Sequence, residues 1–502
     1  MSEKETLTLK PGLIATEQET PPKATARTLV HSVAWNALGD WIAQIFSWAC
    51  FVVVVRLLSP ADYGIIAMSA AFGPLVAYFS GSGIPRAIVT LRDLTEDQLA
   101  QLNTVGLILG FVSFGLAAII AKPIGMFYGQ PRVAAVFVVS CTGLIFNGAQ
   151  TVSNALLLKD MRFRTLTLFG TCAAILSSAM TLLFAWLGWG YWALVLGGLL
   201  GGILRVVLVM FTRRQTYAIP RWESVKRPLT FAMYIVFGLI AWSFYQNLDN
   251  LTAGRFLGQT ALGFYAMAWS LAYVPLDKVT SLITTVLPTY ISAIQNDLVT
   301  VRRHFIKLTE GVATLMFPGC VGFGLVAHEL IPLVMGAKWK GAVPPLEVLS
   351  IYAAFRSIVA FVPQVLTAVG YPRFVMWTDV CATFILGLAF YLGSHWGITG
   401  IAWGWVVAYP LVVAPLYRKT FSTIGMKPGE YVGCLLPALK ATVVMTIAVE
   451  LVKYAVSNVP WAPVRLGSEV LTGVLVYTAS LWLIRRERIT DLWQLTRQFR
   501  RA

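Results

Sequence analysis

The sequence predicts an all-α integral membrane protein with about 14 transmembrane helices, in which two six-helix lobes surround a central cavity and two extra helices follow. Composition, the number of apolar runs and an internal repeat support this prediction. The chain is 57% apolar and 12% charged, with a mean hydropathy of +0.71, more apolar surface than a soluble domain can bury. The net charge is +16, and the basic residues that produce it lie between apolar runs. This distribution is typical of the loops of a membrane protein, so we do not expect nucleic acid as a partner.

The first segment, residues 1–32, is polar and mixed in charge. Because it has no apolar signal region, we expect a disordered cytosolic tail rather than a cleaved leader. The six cysteines and four histidines are scattered without metal-ligand spacing. We therefore expect no disulfide, no metal and no other cofactor.

A membrane-spanning helix needs roughly 20 mostly apolar residues. Fourteen such runs follow the tail, each closed by glycine, proline or charge. They begin near Trp35, Tyr63, Ala100, Arg132, Leu166, Tyr191, Leu229, Gly263, Leu308, Val343, Phe374, Gly397, Tyr431 and Val464.

Basic residues concentrate in alternate gaps between these runs, as cytoplasmic loops do. Both termini are therefore predicted to be cytoplasmic, in a bacterial inner membrane. The basic tail 485–502 is interpreted as the anchor of the last span, with binding to the anionic inner leaflet as the alternative. The richest cytoplasmic gaps hold Lys159, Arg162 and Arg164, then Arg213, Arg214, Arg221, Lys226 and Arg227, then Arg485, Arg486 and Arg488.

An internal repeat divides the chain. Residues 56–68 and 255–267 share arginine, leucine, glycine, alanine and methionine at matching positions. Each half holds six spans, an even number, so the repeats are parallel, an arrangement typical of transporters. The predicted units are the N-lobe 33–211, the inter-lobe loop 212–228, the C-lobe 229–417 and helices 13 and 14 at 418–484.

Two prolines recur in the second span of each half, Pro74 and Pro85 in the first and Pro275 and Pro288 in the second. A proline inside a helix has no N–H, so one backbone carbonyl loses its hydrogen-bond donor. Within a bilayer, such a carbonyl is tolerated only where it faces other parts of the protein or a water-filled cavity. We predict kinks that line the cavity, with packing kinks as the alternative.

Three charges lie at mid-membrane depth, where each costs about 2.5–3.5 kcal/mol. Asp277 and Lys278 fall midway along the eighth span and Arg356 midway along the tenth. They are the principal substrate-binding candidates. The alternative is a structural ion pair between Asp277 and Arg356.

Secondary candidates form two polar groups. Asp40 and Gln44 share one stripe of the first span. Asn247, Asp249 and Asn250 lie in a polar run near the external end of the seventh span, as a helix-end cap or as the lining of an outer vestibule.

Several stretches resemble the WzxC-like, Wzx-type oligosaccharide flippases of the multidrug/oligosaccharidyl-lipid/polysaccharide (MOP) exporter superfamily. The resemblance covers about residues 30 to 425. Its motifs are Asn247–Asn250, Gly254–Gly258, Leu262–Tyr265, Leu287–Pro288, Gln295–Asp297, Gly336–Trp339 with Ala342–Val343, and Arg56–Pro60 with Tyr63–Gly64.

This resemblance implies two lobes around a cavity that opens alternately to either side. It also implies transport of an undecaprenyl-pyrophosphate-linked repeat unit to the periplasmic leaflet for exopolysaccharide, O-antigen or capsule, beside a polymerase and a chain-length regulator. We expect a monomer. Lys278 and Arg356 suit a pyrophosphate, and the membrane potential favours its outward movement. Proton or sodium antiport through Asp277 or Asp40 is the alternative coupling.

Other functions remain open at this point. Within the superfamily they are a drug/cation antiporter and a flippase for the peptidoglycan lipid precursor. From another class, a polysaccharide polymerase or ligase would need an external catalytic platform, whereas the predicted external loops are short. We therefore expect a transporter and not an enzyme.

Overall fold

The computed structural model describes residues 26–80, 83–91, 94–294 and 297–484, and within these ranges the regular structure is entirely helical. This confirms the predicted all-α class. The helices are α1 (Ala26–Leu57), α2 (Pro60–Ala70), α3 (Gly73–Ala77), α4 (Ile84–Thr90), α5 (Glu96–Tyr128), α6 (Pro131–Cys141), α7 (Gly143–Lys159), α8 (Phe163–Trp186), α9 (Tyr191–Thr212), α10 (Trp222–Ile294), α11 (Leu298–Leu325), α12 (Ala327–Met335), a 3₁₀ helix (Ala337–Ala342), α13 (Val343–Val359), α14 (Val362–Ala368), α15 (Pro372–Ser394), α16 (Gly397–Thr423), α17 (Pro428–Val456) and α18 (Ala462–Ile484).

Within the described residues, ten helical segments are long and apolar enough to cross a membrane. A bent pair, Ala43–Leu57 with Pro60–Ala77, turns by 115° and raises the number to eleven. The 73-residue helix α10 lies outside this number and covers the predicted spans seven and eight. A multi-pass membrane protein is thus confirmed, while the count of fourteen stays a prediction.

The predicted second span is broken into the short helices α2, α3 and α4. Pro74 and Pro85 each lie in the first turn of a new helix, where an N–H is not needed. Pro275 instead lies inside α10, whose non-helical residue is Gly258, with φ +84°. The side chain of Pro288 lies outside those that the structure describes.

Asp62 fastens the start of α2 to the rest of the first half. Its carboxylate accepts from the backbone N–H of Ser59 at 2.9 Å, and the Ser59 hydroxyl caps Asp62 N in return. The other carboxylate oxygen accepts from Tyr191 N at 3.1 Å. The first turns of α2 and α9 are therefore held side by side.

Most helices pack on helices of the same half of the chain. In the first half, α8 packs on α1 and α9, and α5 packs on α6 and α7. In the second half, α13, α15 and α16 pack on α10, while α17 and α18 pack on each other and on α11. The extensive contact between the halves is α2 against α10. The lobe boundaries at 33–211 and 229–417 stay a prediction.

Candidate functional site

The two repeats meet where α2 crosses α10, with backbone against backbone. A Cβ atom on Gly64 would lie 1.7 Å from the carbonyl oxygen of Gln259. A Cβ atom on Gly263 would lie 1.8 Å from the carbonyl oxygen of Pro60. Gly64 matches Gly263 in the repeat, and Pro60 matches Gln259. The contact is therefore reciprocal, and it requires glycine on both sides because no side chain fits at such distances. We call this crossing the repeat seam.

Two equivalent arginines reach across the seam in opposite directions. Arg56 donates from Nε to the carbonyl of Val334 at 2.8 Å and from Nη2 to that of Leu333 at 2.7 Å, at the end of α12. Arg255 donates from Nη1 to the carbonyl of Phe127 at 2.8 Å, at the end of α5. Each arginine thus satisfies helix-terminal carbonyls of the other half, which lack partners within their own helix.

The end of α1 is capped by residues from the second half. Lys338 Nζ donates to the carbonyls of Arg56 and Leu58 at 2.7 and 2.6 Å. The fully buried Trp339 donates from Nε1 to the carbonyl of Val55 at 2.9 Å. These bonds give the Gly336–Trp339 motif a structural role at the seam that sequence reasoning did not assign.

A cavity of about 520 Å³ lies between the repeats. Its walls come from the connection between α2 and α3, from α3, from α5 and from the first part of α10, which precedes Gly258, and they are mostly apolar. Ser243 and Asn247 are its polar groups, and Asn247 Nδ2 donates to the Ser243 carbonyl at 2.9 Å. The structure therefore places one secondary candidate, Asn247, in the wall of a cavity between the halves.

Asp249 points away from this cavity into the second half. It is fully buried and accepts from Tyr265 Oη at 2.8 Å, from Trp405 Nε1 at 3.1 Å and from Asn250 N at 2.7 Å. In the part of the chain that the structure describes, no cation lies at ion-pair distance from it. Asp249 thus joins both parts of α10 to α16.

The polar run around Asp249 is not a helix-end cap, one of its two interpretations, because the first part of α10 continues to Leu257. Two of its amide groups are buried without a hydrogen-bond partner among the described residues, Gln246 Nε2 and Asn250 Oδ1. Such atoms carry an energetic cost unless a ligand or water meets them.

Arg356 is half-buried on α13, where tyrosines surround its guanidinium and the carboxylate of Asp379 lies within electrostatic range without forming an ion pair. It donates to the hydroxyl of Tyr409, and its guanidinium carbon lies 5.2 Å from the centroid of that ring. Tyr245, Tyr273 and Tyr352 lie within electrostatic range of the guanidinium. We call these four tyrosines with Arg356 the tyrosine cage.

Two hydroxyl groups of the cage face each other. Those of Tyr273 and Tyr352 are buried and adjacent, and neither forms a hydrogen bond with any other residue described. Within the same ranges Arg356 has no ion pair. A guanidinium surrounded by hydroxyls can bind an anion directly, because both kinds of group donate hydrogen bonds to it.

Aromatic rings in contact link Asp249 to the cage. The ring centroid of Trp405 lies 4.8 Å from that of Tyr352 and 5.2 Å from that of Trp269. Trp269 in turn stacks on Tyr273, with 4.5 Å between the centroids. Tyr273 lies within electrostatic range of both Asp249 and Arg356. The two charges therefore share one aromatic cluster formed by α10, α13 and α16.

The remaining candidates are placed only in part. The side chains of Asp40, Asp277 and Lys278 lie outside those that the structure describes, so the proposed ion pair between Asp277 and Arg356 stays a prediction. Gln44 is half-buried on α1.

Known proteins place the chain in a family. A family model described as "Polysaccharide biosynthesis protein" matches residues 53–344, more than half of the 502 residues. The chain belongs to this polysaccharide biosynthesis family. The match includes the first copy of the repeat, the seam residues on both halves and the Asn247–Asn250 run.

Similar proteins carry names from the same area of biology. The lipopolysaccharide biosynthesis protein WzxC of Escherichia coli (strain K12) is 24% identical over 409 residues, 78% of this chain and 82% of that protein. The succinoglycan biosynthesis transport protein ExoT of Rhizobium meliloti (strain 1021) is 21% identical over 486 residues, 95% of this chain and 97% of that protein. The predicted resemblance to WzxC-like proteins is confirmed.

Solved structures identify the fold. The lipid II flippase MurJ in an inward closed conformation matches with a TM-score of 0.73 at 15% identity, covering 91% of this chain and 100% of that one. An inward-facing multidrug resistance MATE family transporter of the MOP superfamily matches at 0.62 with 14% identity, covering 76% and 94%. The predicted superfamily fold is confirmed.

Proposed function

We propose that this protein is an inner-membrane flippase. It moves undecaprenyl-pyrophosphate-linked oligosaccharide repeat units from the cytoplasmic to the periplasmic leaflet, for exopolysaccharide, O-antigen or capsule biosynthesis. Family membership and relatives named for polysaccharide biosynthesis and transport support this role. The observation that carries it is the repeat seam, a reciprocal closure between two equivalent halves that also form the walls of a cavity.

In this proposal the seam is the periplasmic gate of an alternating-access cycle. Its bonds are made to backbone carbonyls, which water solvates once the halves separate. A hydrogen bond from a charged donor contributes about 1.5–3 kcal/mol net, so a few such bonds can be outweighed by substrate binding. The gate is then stable when empty and still able to open.

The tyrosine cage is the proposed pyrophosphate contact. Arg356 supplies a forked cation, and the adjacent hydroxyls of Tyr273 and Tyr352 can rotate to donate to a bound phosphate. Lys278 and Asp277 stay candidates beside it. Outward movement of an anion gains about 2.3 kcal/mol per charge per 100 mV of inside-negative potential, so the potential alone can drive the step.

The wider arrangement is part of the same proposal. The lobes are 33–211 and 229–417, both termini are cytoplasmic, and the protein acts as a monomer beside a polymerase and a chain-length regulator. Its action is transport and not catalysis.

A deletion strain tests this function. We expect single lipid-linked repeat units to accumulate where a membrane-impermeant glycosidase, added to spheroplasts, does not reach them. Units that accumulate in a digestible form on the outer face would instead identify a polymerase or ligase. Lethality on depletion would indicate the peptidoglycan precursor, and drug sensitivity with normal polymer would indicate a drug antiporter.

A further inference from the structure

A second cavity, of about 800 Å³, lies on the second half away from the seam. It is an open groove with walls from α13, α16 and α17, and its lining is overwhelmingly apolar. None of the helices that line the cavity between the repeats contributes to it. An occupant of this groove would therefore lie outside the proposed transport path.

One end of the groove is basic. Arg418 and Lys427 line it there, both are exposed, and neither forms an ion pair within the described ranges. They lie where α16 ends and α17 begins, on the face that the charge pattern predicts to be cytoplasmic. Two cations at the membrane surface without counterions attract an anionic group.

The basic end is held in a defined geometry. Gly425 ends α16 with φ +62°, and Met426 N donates back to the carbonyl of Phe421 at 2.9 Å. Arg302 donates to the Gly425 carbonyl at 2.9 Å and pairs with Glu430. Glu430 is thereby neutralised, which leaves Lys427 and the first N–H groups of α17 as the positive surface.

From this end the groove runs along α16 to Pro410, eight residues before Arg418, about 12 Å at 1.5 Å per residue. Its inner end is lined by Phe355 and Pro410, the sequence neighbours of Arg356 and Tyr409. The groove therefore offers an apolar channel with a cationic mouth at headgroup depth, the shape of a lipid site.

We propose that this groove binds one anionic phospholipid of the cytoplasmic leaflet, with the phosphate between Arg418 and Lys427 and an acyl chain along α16 and α17. Charge complementarity selects this occupant over a zwitterionic lipid. By filling the space between α13, α16 and α17, the lipid supports α17, which lies outside the repeat, against the wall of the tyrosine cage. The proposal does not depend on the transported substrate.

Native mass spectrometry of the purified full-length protein tests it, with phosphatidylglycerol or phosphatidylcholine added to delipidated samples. We expect wild type to retain phosphatidylglycerol preferentially. The double variant Arg418→Gln, Lys427→Gln should lose this preference by up to about 30-fold, equivalent to ~2 kcal/mol for two surface cations. Lys419→Gln is the matched control, because Lys419 lies 4.0 Å above the Tyr371 ring and does not line the groove.

A space-filling variant tests the apolar part. Ala414 lines the groove and is exposed, so Ala414→Trp should fit without disturbing the core and should reduce retention of both lipids. Equal retention of the two lipids by wild type, or an unchanged preference in the double variant, would overturn the proposal. So would lipid retention that begins only after residues 485–502 are removed, which would show that the tail occupies the groove. None of these measurements involves glycan transport, so their failure is distinct from failure of the flippase function.

Discussion

Gly64 and Gly263 hold the same position in the two repeats, and each faces a backbone carbonyl of the opposite repeat at a distance that excludes any side chain. The halves consequently touch through their main chains at this crossing. The cavity lined by Asn247 lies between the same two halves. In the proposed transport cycle, separation of the halves at this contact would therefore open the cavity.

Replacement of either glycine by alanine should separate α2 from α10 at the seam, because the added Cβ atom would overlap the opposing carbonyl. Overpacking costs about 1–3 kcal/mol, so Gly64→Ala and Gly263→Ala should each shift the equilibrium towards the open gate by that amount. An Asn247→Cys reporter in a cysteine-free background should then react faster with an impermeant maleimide added from outside. Gly311→Ala is the control, since a Cβ atom there meets nothing within 4 Å. Equal labelling in all three variants would show that the seam is not a gate.

Arg56 and Arg255 should contribute separately to the same closure. They bind different helix ends, so the losses of stability in Arg56→Ala and Arg255→Ala should add in the double variant. Arg56→Ala should cost about 1.5–3 kcal/mol, and Arg56→Lys should recover little because an ammonium group lacks the fork that reaches two carbonyls. Denaturation in detergent measures both. A complete rescue by lysine would mean that the charge, and not the geometry, matters.

Arg356 should be needed for export but not for insertion. Arg356→Gln removes the charge inside the tyrosine cage, and we expect polymer export to fall at least tenfold while the protein level in membranes is unchanged. Tyr409→Phe removes one hydrogen bond and should have a smaller effect, about 0.5–1.5 kcal/mol. Lys419→Gln serves as the control cation on α16. Normal export in Arg356→Gln would remove this residue from the substrate site.

Asp297 should make α11 sensitive to acid. Its carboxylate accepts from the Thr300 hydroxyl at 2.6 Å and from Thr300 N at 3.1 Å, and these bonds lower the pKa of Asp297 below its usual 3.8. Because the folded-state pKa is depressed, the stabilisation is present above about pH 4 and is lost as the pH falls through the lowered value. The melting temperature of wild type should be higher than that of Asp297→Ala at pH 7, and the two should converge once the pH lies below the lowered pKa of Asp297. A difference that persists at that pH would assign the effect to packing.

The sequence predicted the class of protein and most helix positions, because apolar length and positively charged gaps are local signals. It also identified the repeat, although not that the two copies face each other, since contact between Gly64 and Gln259 joins positions almost two hundred residues apart. The tyrosine cage left no sequence pattern. Its members come from α10, α13 and α16, and single tyrosines in apolar helices are common. Asp249 stood out as polar, but its partner Trp405 lies 156 residues away.

The repeat seam also determines which of its residues can differ between the two copies of the repeat. At each contact one partner presents only a main-chain oxygen, which every amino acid has, so Pro60 and Gln259 were free to become unlike residues. The opposing partner must lack a side chain, and both copies still carry glycine there. Each pair therefore tolerates a change of residue type at only one of its two members.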